Sequence, residues 1–198
     1  MNSINDKRIG NQYWGKVSKD EVYCAFLKSE YKIRFNLSSK ETEYIKELVD
    51  NPCFSNEFQN SKREELLLLI RKPILDEITH TTWHKASLQQ SHLNELRVMG
   101  RCGWDYGSLP DHDSMCKPDQ NELVSVARRR PQKLKKDPFQ WEPPILWGHT
   151  MDGPFTIIDG THRLLGYASH SNKPDLNILA YIGLSEEKCK WHLLDQID

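Results

Sequence analysis

Charge of either sign is in no excess in this chain: 27 lysines and arginines stand against 28 aspartates and glutamates, a formal net charge of −1 at pH 7. A protein that lives wholly on nucleic acid or anionic lipid carries a positive surplus, so a generally basic binder is excluded. Long apolar runs are also missing. The longest aliphatic stretch, Leu66-Leu67-Leu68-Leu69-Ile70, has five residues, whereas a spanning helix needs about 20, so no membrane span is expected. The opening residues, Met1-Asn2-Ser3-Ile4-Asn5-Asp6-Lys7-Arg8, contain no apolar signal segment. The expected location is therefore the cytoplasm, with the five cysteines as reduced thiols. No C-x-x-C pair occurs, which argues against the common zinc modules. Internal repeats and low-complexity tracts are absent too.

What is present suits an ordinary folded chain. A length of 198 residues lets a protein bury roughly 70% of the surface its unfolded form exposes, so no disulfide or structural metal is needed. The apolar share of 37% and mean hydropathy of −0.71 are lean, yet 6 Trp, 7 Tyr and 6 Phe are too many for a disordered chain.

The pattern along the chain changes near residue 120. Before it, Tyr31 to Leu37 alternates like a strand. Ser38 and Ser39 then offer a cap for a helix carrying Tyr44, Ile45, Leu48 and Val49, stopped at Asn51-Pro52. A second helix is expected from Ser61, broken near Pro73. Leu88, His92, Leu96 and Met99 predict a third over 84–99, ended by Gly100. Residues 101–120 are dense in Gly, Pro, Asp and Ser and read as irregular. Beyond them, Leu123–Ala127, Pro144–Trp147, Phe155–Ile158 and Leu176–Ile182 are short β-rich runs, with helical patterns over 161–170 and from Ser185.

The chemistry is concentrated in Phe155-Thr156-Ile157-Ile158-Asp159-Gly160-Thr161-His162-Arg163-Leu164-Leu165-Gly166-Tyr167-Ala168, which reads as strand, tight turn and helix. Gly160 lets the backbone turn sharply and approach a ligand, and the free N–H groups opening the helix favour an anion. Thr161, Leu164, Leu165 and Ala168 define an inward face, leaving His162 and Arg163 roughly 110° and 150° from its centre. A guanidinium forks onto phosphate oxygens and an imidazole adds donors. Asp159, at the strand end, could hold a metal or take a proton from an attacking hydroxyl. The plainer alternative is that Gly160 only turns the chain, Thr161 caps the helix, and His162 and Arg163 are solvated first-turn residues.

At these residues the chain resembles the ParB/sulfiredoxin superfamily, whose signature G-x-H/R-R follows a strand and opens a helix; here it reads Asp159-Gly160-Thr161-His162-Arg163. The form with a leading aspartate is similar to that of free serine kinases in this superfamily. The resemblance covers about residues 121–195. It implies an α+β fold, a ParB/sulfiredoxin-like mixed-sheet domain over 121–198, with residues 1–120 as a largely helical N-terminal extension. It further implies a phosphate-binding element for ATP or ADP with magnesium, in a phosphotransferase or nucleotide hydrolase. Asp159, His162 and Arg163 would be catalytic, Gly160, Thr161, His162 and Arg163 would contact the nucleotide, and Asp159 would hold the metal. In sulfiredoxins a cysteine between glycine and histidine does the redox chemistry; Thr161 stands there in this chain. In ParB partition proteins a related box binds CTP ahead of a helix-turn-helix domain, whereas 30 residues follow Ala168 here, too few for that reader.

Weaker constellations surround this one. Arg128-Arg129-Arg130 with Lys133, Lys135 and Lys136 reads as a solvated loop, an extension of the phosphate site or a nucleic-acid contact. His80 and His84, helical partners if that segment is a helix, together with Cys102, His112 and Cys116, fit no common zinc spacing. Glu122, Asp105 and Asp111 are candidates for a further base. The expected partners are a nucleotide and a small-molecule or protein acceptor, with no membrane. The alternative function is a nucleotide-switched regulatory or nucleic-acid-binding module without catalysis.

Overall fold

Each of three consecutive helices starts at a side chain that satisfies its otherwise unpaired N–H groups. Helix α1 (Lys19–Arg34) begins where the Ser18 hydroxyl accepts the Glu21 N–H at 3.1 Å. Helix α2 (Ser39–Asp50) opens on a reciprocal pair: Ser38 Oγ accepts the Glu41 N–H, and Glu41 Oε2 accepts the Ser38 N–H at 2.9 Å. Helix α3 (Glu57–Glu77) is capped by Asn56 Oδ1, which accepts the Gln59 N–H at 3.1 Å. Pro73 disturbs α3 as expected, and the non-helical residue is Arg71 (φ −135°, ψ 17°), two positions before it. The computed structural model describes residues 15–35, 38–88, 96–98, 142–161, 163–164 and 178–189.

Among the described residues six strands form one mixed sheet: β1 (Gly15–Lys16), β2 (Thr82–Leu88), β3 (Arg97–Val98), β4 (Ile145–Gly148), β5 (Thr156–Asp159) and β6 (Ile178–Leu184). Their spatial order is β1-β2-β6-β4-β5-β3. The central pair, β4 and β6, runs parallel with Ile145 opposite Tyr181 and Trp147 opposite Gly183; β2 with β6 and β4 with β5 are antiparallel. Successive strand residues face opposite sides, and the sheet has a core on each. Trp83, Ile145, Trp147, Ile158 and Tyr181 join the buried residues of the three helices. Ala86, Leu88, Leu146, Ile157, Ile178, Ala180 and Ile182 share the other side with Leu96, Phe155 and Leu164.

The architecture is a mixed α+β fold in which β2, drawn from residues 1–120, pairs along seven positions with β6. Both stretches therefore contribute to one sheet and to the cores on its two faces. The boundary placed near residue 120, and the strand expected at Leu123–Ala127, lie outside the described residues.

Three local expectations are corrected. The helix predicted over 84–99 is replaced by β2 through Leu88 and by β3 at Arg97–Val98. Pairing on both edges and burial of Trp83 on one face and Ala86 and Leu88 on the other override a helical spacing that rested on four residues. The strand predicted from Tyr31 is instead the last turn of α1, because Phe26, Leu27 and Tyr31 recur at helical spacing and are all buried. Ser185–Cys189 is not helical; Ser185 Oγ accepts the Glu187 N–H in a local turn, though Cys189 is buried as expected. Among the described residues no helix is long and apolar enough to cross a membrane.

Helix α1 is docked on the sheet by a polar contact as well as by its apolar face. Glu21 Oε1 accepts from the Tyr181 hydroxyl at 2.9 Å and from Lys85 Nζ at 3.2 Å. Ser29 lies eight residues further along α1, about 12 Å at the helical rise, which carries it to the end of β5.

Candidate functional site

Strand β5 is buried at Thr156, Ile157 and Ile158 and ends at Asp159, where the chain reaches the edge of the core. Gly160 follows at φ +94°, a conformation costly for any residue with a Cβ. Space forbids one as well: a Cβ there would lie 2.8 Å from Pro144 Cβ and 3.0 Å from Arg163 Nε. Glycine thus lets the turn close onto the proline ahead of β4 and under the arginine side chain. The following helix begins at Thr161, with the Leu164 N–H donating to the Gly160 carbonyl at 2.9 Å.

The two charged residues of the turn meet each other. Arg163 donates through one terminal nitrogen to Asp159 Oδ2 and through the other to the Glu142 carbonyl at 2.5 Å and the Pro143 carbonyl at 3.4 Å. Their side chains are 14% and 16% exposed, Asp159 and Arg163 respectively, so the pair is shielded from bulk water yet still reached by it. The helical wheel expects the guanidinium to point outward; instead it folds back over the turn, largely shielded, onto Asp159 and the two carbonyls. Ser29 Oγ, 130 positions away in sequence, approaches Asp159 Oδ2 at 2.7 Å.

A second charge cluster adjoins this one. Lys28 Nζ pairs with Glu142 Oε1 at 2.8 Å and with Asp50 Oδ1 at 3.5 Å. The hydrogen bond to Glu142 is the main reason the Lys28 ammonium is held above its ordinary pKa. Glu142 is thereby engaged by a cation through its side chain and by Arg163 through its carbonyl.

Of the residues expected at the site, Asp159, Gly160 and Arg163 are brought into direct contact, Thr161 is half-buried beside them, and Leu164 is buried. His162 lies outside the described residues, as do Glu122, Asp105, Asp111, the basic residues 128–136, Cys102, His112 and Cys116. His84 sits in strand β2 and His80 in the turn before it, so the helical pairing proposed for them does not exist. Among the described residues no group of three or more His, Cys, Asp or Glu could hold a metal ion.

Sequence reasoning missed Ser29, Lys28 and Glu142. Glu142 stands just before the proline-led strand, which is a local hint; Ser29 and Lys28 lie mid-helix in a distant segment and carry none. Comparison with protein-family models, with curated proteins and with solved structures finds no match for this chain.

A magnesium ion shared with nucleotide phosphates keeps several waters and takes only one or two carboxylates from the protein. Asp159 fits that demand. Both donors described above engage Oδ2, and among the described residues none bonds to Oδ1. A cage made of protein ligands alone has no such basis here.

Proposed function

We propose that the chain binds the phosphates of an adenine nucleotide, ATP or ADP, with magnesium, as a protein of ParB/sulfiredoxin type, and uses them in phosphoryl transfer to a small-molecule or protein acceptor or in hydrolysis. The observation that supports this reading is the association, within one turn of chain, of a strand-end carboxylate, a glycine at positive φ and an arginine bonded to that carboxylate.

In this reading Gly160 and Thr161 bring backbone and hydroxyl donors close to phosphate oxygens. Arg163 supplies a guanidinium, held in place by the two carbonyls, to the charge of the transferring group. Asp159 faces the metal, and His162 adds a donor. Such catalysis is mainly positioning and electrostatics.

The test is thermal denaturation of the purified chain with a panel of nucleotides, with and without magnesium, followed by turnover measurements. ATP or ADP should raise the melting temperature, because a ligand that prefers the native state stabilises it. Arg163→Ala and Asp159→Asn should each lower turnover by at least about tenfold, the scale set by loss of one charge-stabilising group. Stabilisation without turnover would assign a nucleotide-dependent switch in place of an enzyme. Equal turnover in all three proteins would remove the catalytic roles.

A further inference from the structure

Asp159 Oδ2 receives two donors, the Ser29 hydroxyl at 2.7 Å and one nitrogen of Arg163. Ser29 has one proton and two acceptors in reach, the second being the Phe26 carbonyl at 2.8 Å. The carboxylate is the stronger acceptor because it is charged, and the carbonyl already serves the helix ladder. With Oδ2 held from two directions, rotation of the carboxylate is restricted, and among the described residues none bonds to Oδ1.

We propose that Ser29 is a positioning residue of the site, fixing the Asp159 carboxylate by one oxygen so that the other forms a single-oxygen seat for the magnesium ion that accompanies nucleotide phosphates. This rests on the nucleotide reading above and gives helix α1 a part in it. Magnesium demands near-octahedral geometry and takes carboxylates sparingly, whereas calcium readily accepts both oxygens of one carboxylate. A carboxylate denied rotation therefore favours the smaller ion.

Two observations separate this role from simple docking of α1. The helix is already tied to the sheet through Glu21, Tyr181 and Lys85 and through Val22, Phe26 and Leu27 in the core. A mid-helix serine also adds nothing to helix propensity. Meanwhile the Glu142 and Asp50 carboxylates of the adjoining cluster are paired with Lys28, which leaves Asp159 as the carboxylate on offer among the described residues of these two clusters.

The experiment follows thermal denaturation of the full chain with ADP while magnesium or calcium is titrated, in wild type, Ser29→Ala and Ser29→Thr. In Ser29→Ala the magnesium concentration giving half the stabilisation should rise about tenfold, the usual effect of removing a group that orients a metal ligand. The calcium midpoint should move less, and the response to ADP without cation should stay at the wild-type value. Ser29→Thr, which keeps the hydroxyl, should follow wild type; this variant and the melting temperature in plain buffer report any loss of folding. A wild-type magnesium midpoint in Ser29→Ala, or equal shifts for the two cations, overturns the assignment. If ADP stabilises wild type to the same extent with and without either cation, the nucleotide reading stands and the Ser29 role falls. If ADP stabilises nothing, the nucleotide reading falls and takes this inference with it.

Discussion

An arginine–carboxylate pair in the helix layer and another at the end of β5 differ in one decisive respect of their surroundings. In the helix layer Arg71 bonds to Glu30 with side chains 5% and 8% exposed, and its guanidinium lies 5.9 Å from the Phe26 ring centroid. At the end of β5, Arg163 bonds to Asp159 at about twice to three times that exposure and beside a glycine turn. Near-complete burial ties the first pair to the packing of the helices. The second keeps an oxygen that no described residue engages, which in the proposed reading is where a ligand enters while the core stays intact. On that reading chemistry of the same kind serves two purposes, and depth decides which.

The sharpest way to break this comparison is to unpair the deep arginine. Glu30→Ala should lower stability by about 3–5 kcal/mol, the scale for breaking a buried ion pair by removing one member, measured by urea denaturation. Replacing both partners with apolar residues, Glu30→Leu with Arg71→Met, should recover most of that loss. If the single variant costs no more than a surface pair, the contrast in depth is wrong.

Next in size is Gly160→Ala. Positive φ and the 2.8 Å approach to Pro144 Cβ should together cost about 1–3 kcal/mol and weaken nucleotide-dependent stabilisation, since the turn and the arginine above it must shift. A comparable loss of stability with an unchanged ligand response would detach the turn from the site.

A smaller effect, confined to alkaline pH, comes from the helix layer. Cys24 is buried, with Sγ 3.7 Å from the Val49 carbonyl, and burial pushes its thiol from 9.0 up to about 11. Between these values the folded chain keeps a proton that the unfolded chain has lost. Its contribution to stability is therefore complete below about pH 9 and lost as pH rises toward 11. Cys24→Ala should flatten that part of a stability–pH profile; Tyr23 and Tyr181, also raised chiefly by burial, act at higher pH.

The smallest stability change belongs to the shallow pair. Asp159→Asn, which keeps an amide oxygen to accept from Ser29 and Arg163, should cost about 1 kcal/mol, the net scale of one hydrogen bond, while removing the magnesium-dependent part of the response to ADP. A large loss of stability would tie this pair to the packing as well.

Of the helix layer, α2 and the disturbance near Pro73 were legible because their signals are local, whereas α1 was not read as a helix and α3 begins at Glu57 rather than at Ser61. The Ser38–Glu41 reciprocal cap lies within one turn, and Pro73 acts on the residues immediately before it. The turn at Gly160 was legible for the same reason, since φ preference and strand alternation are properties of adjacent residues. Strand β2 was not, because four apolar or aromatic positions in 84–99 also match a helical spacing, and only the partners β1 and β6 select the extended form. The direction of Arg163 escaped as well. A helical wheel fixes the angle at which a side chain leaves its helix, but not the carbonyls of Glu142 and Pro143 that wait beside it.

By itself the sequence determined the Ser38 cap of α2, the bend near Pro73, the strands β4 to β6 and the glycine turn with its acid and its arginine, because each follows from neighbours a few bonds apart. Tertiary structure alone decided that residues on both sides of position 120 share one sheet, and that Ser29 meets an aspartate 130 residues later. Such meetings depend on how faces pack over long stretches of chain, where the energy of any one contact is small and the burial of a whole surface chooses among them.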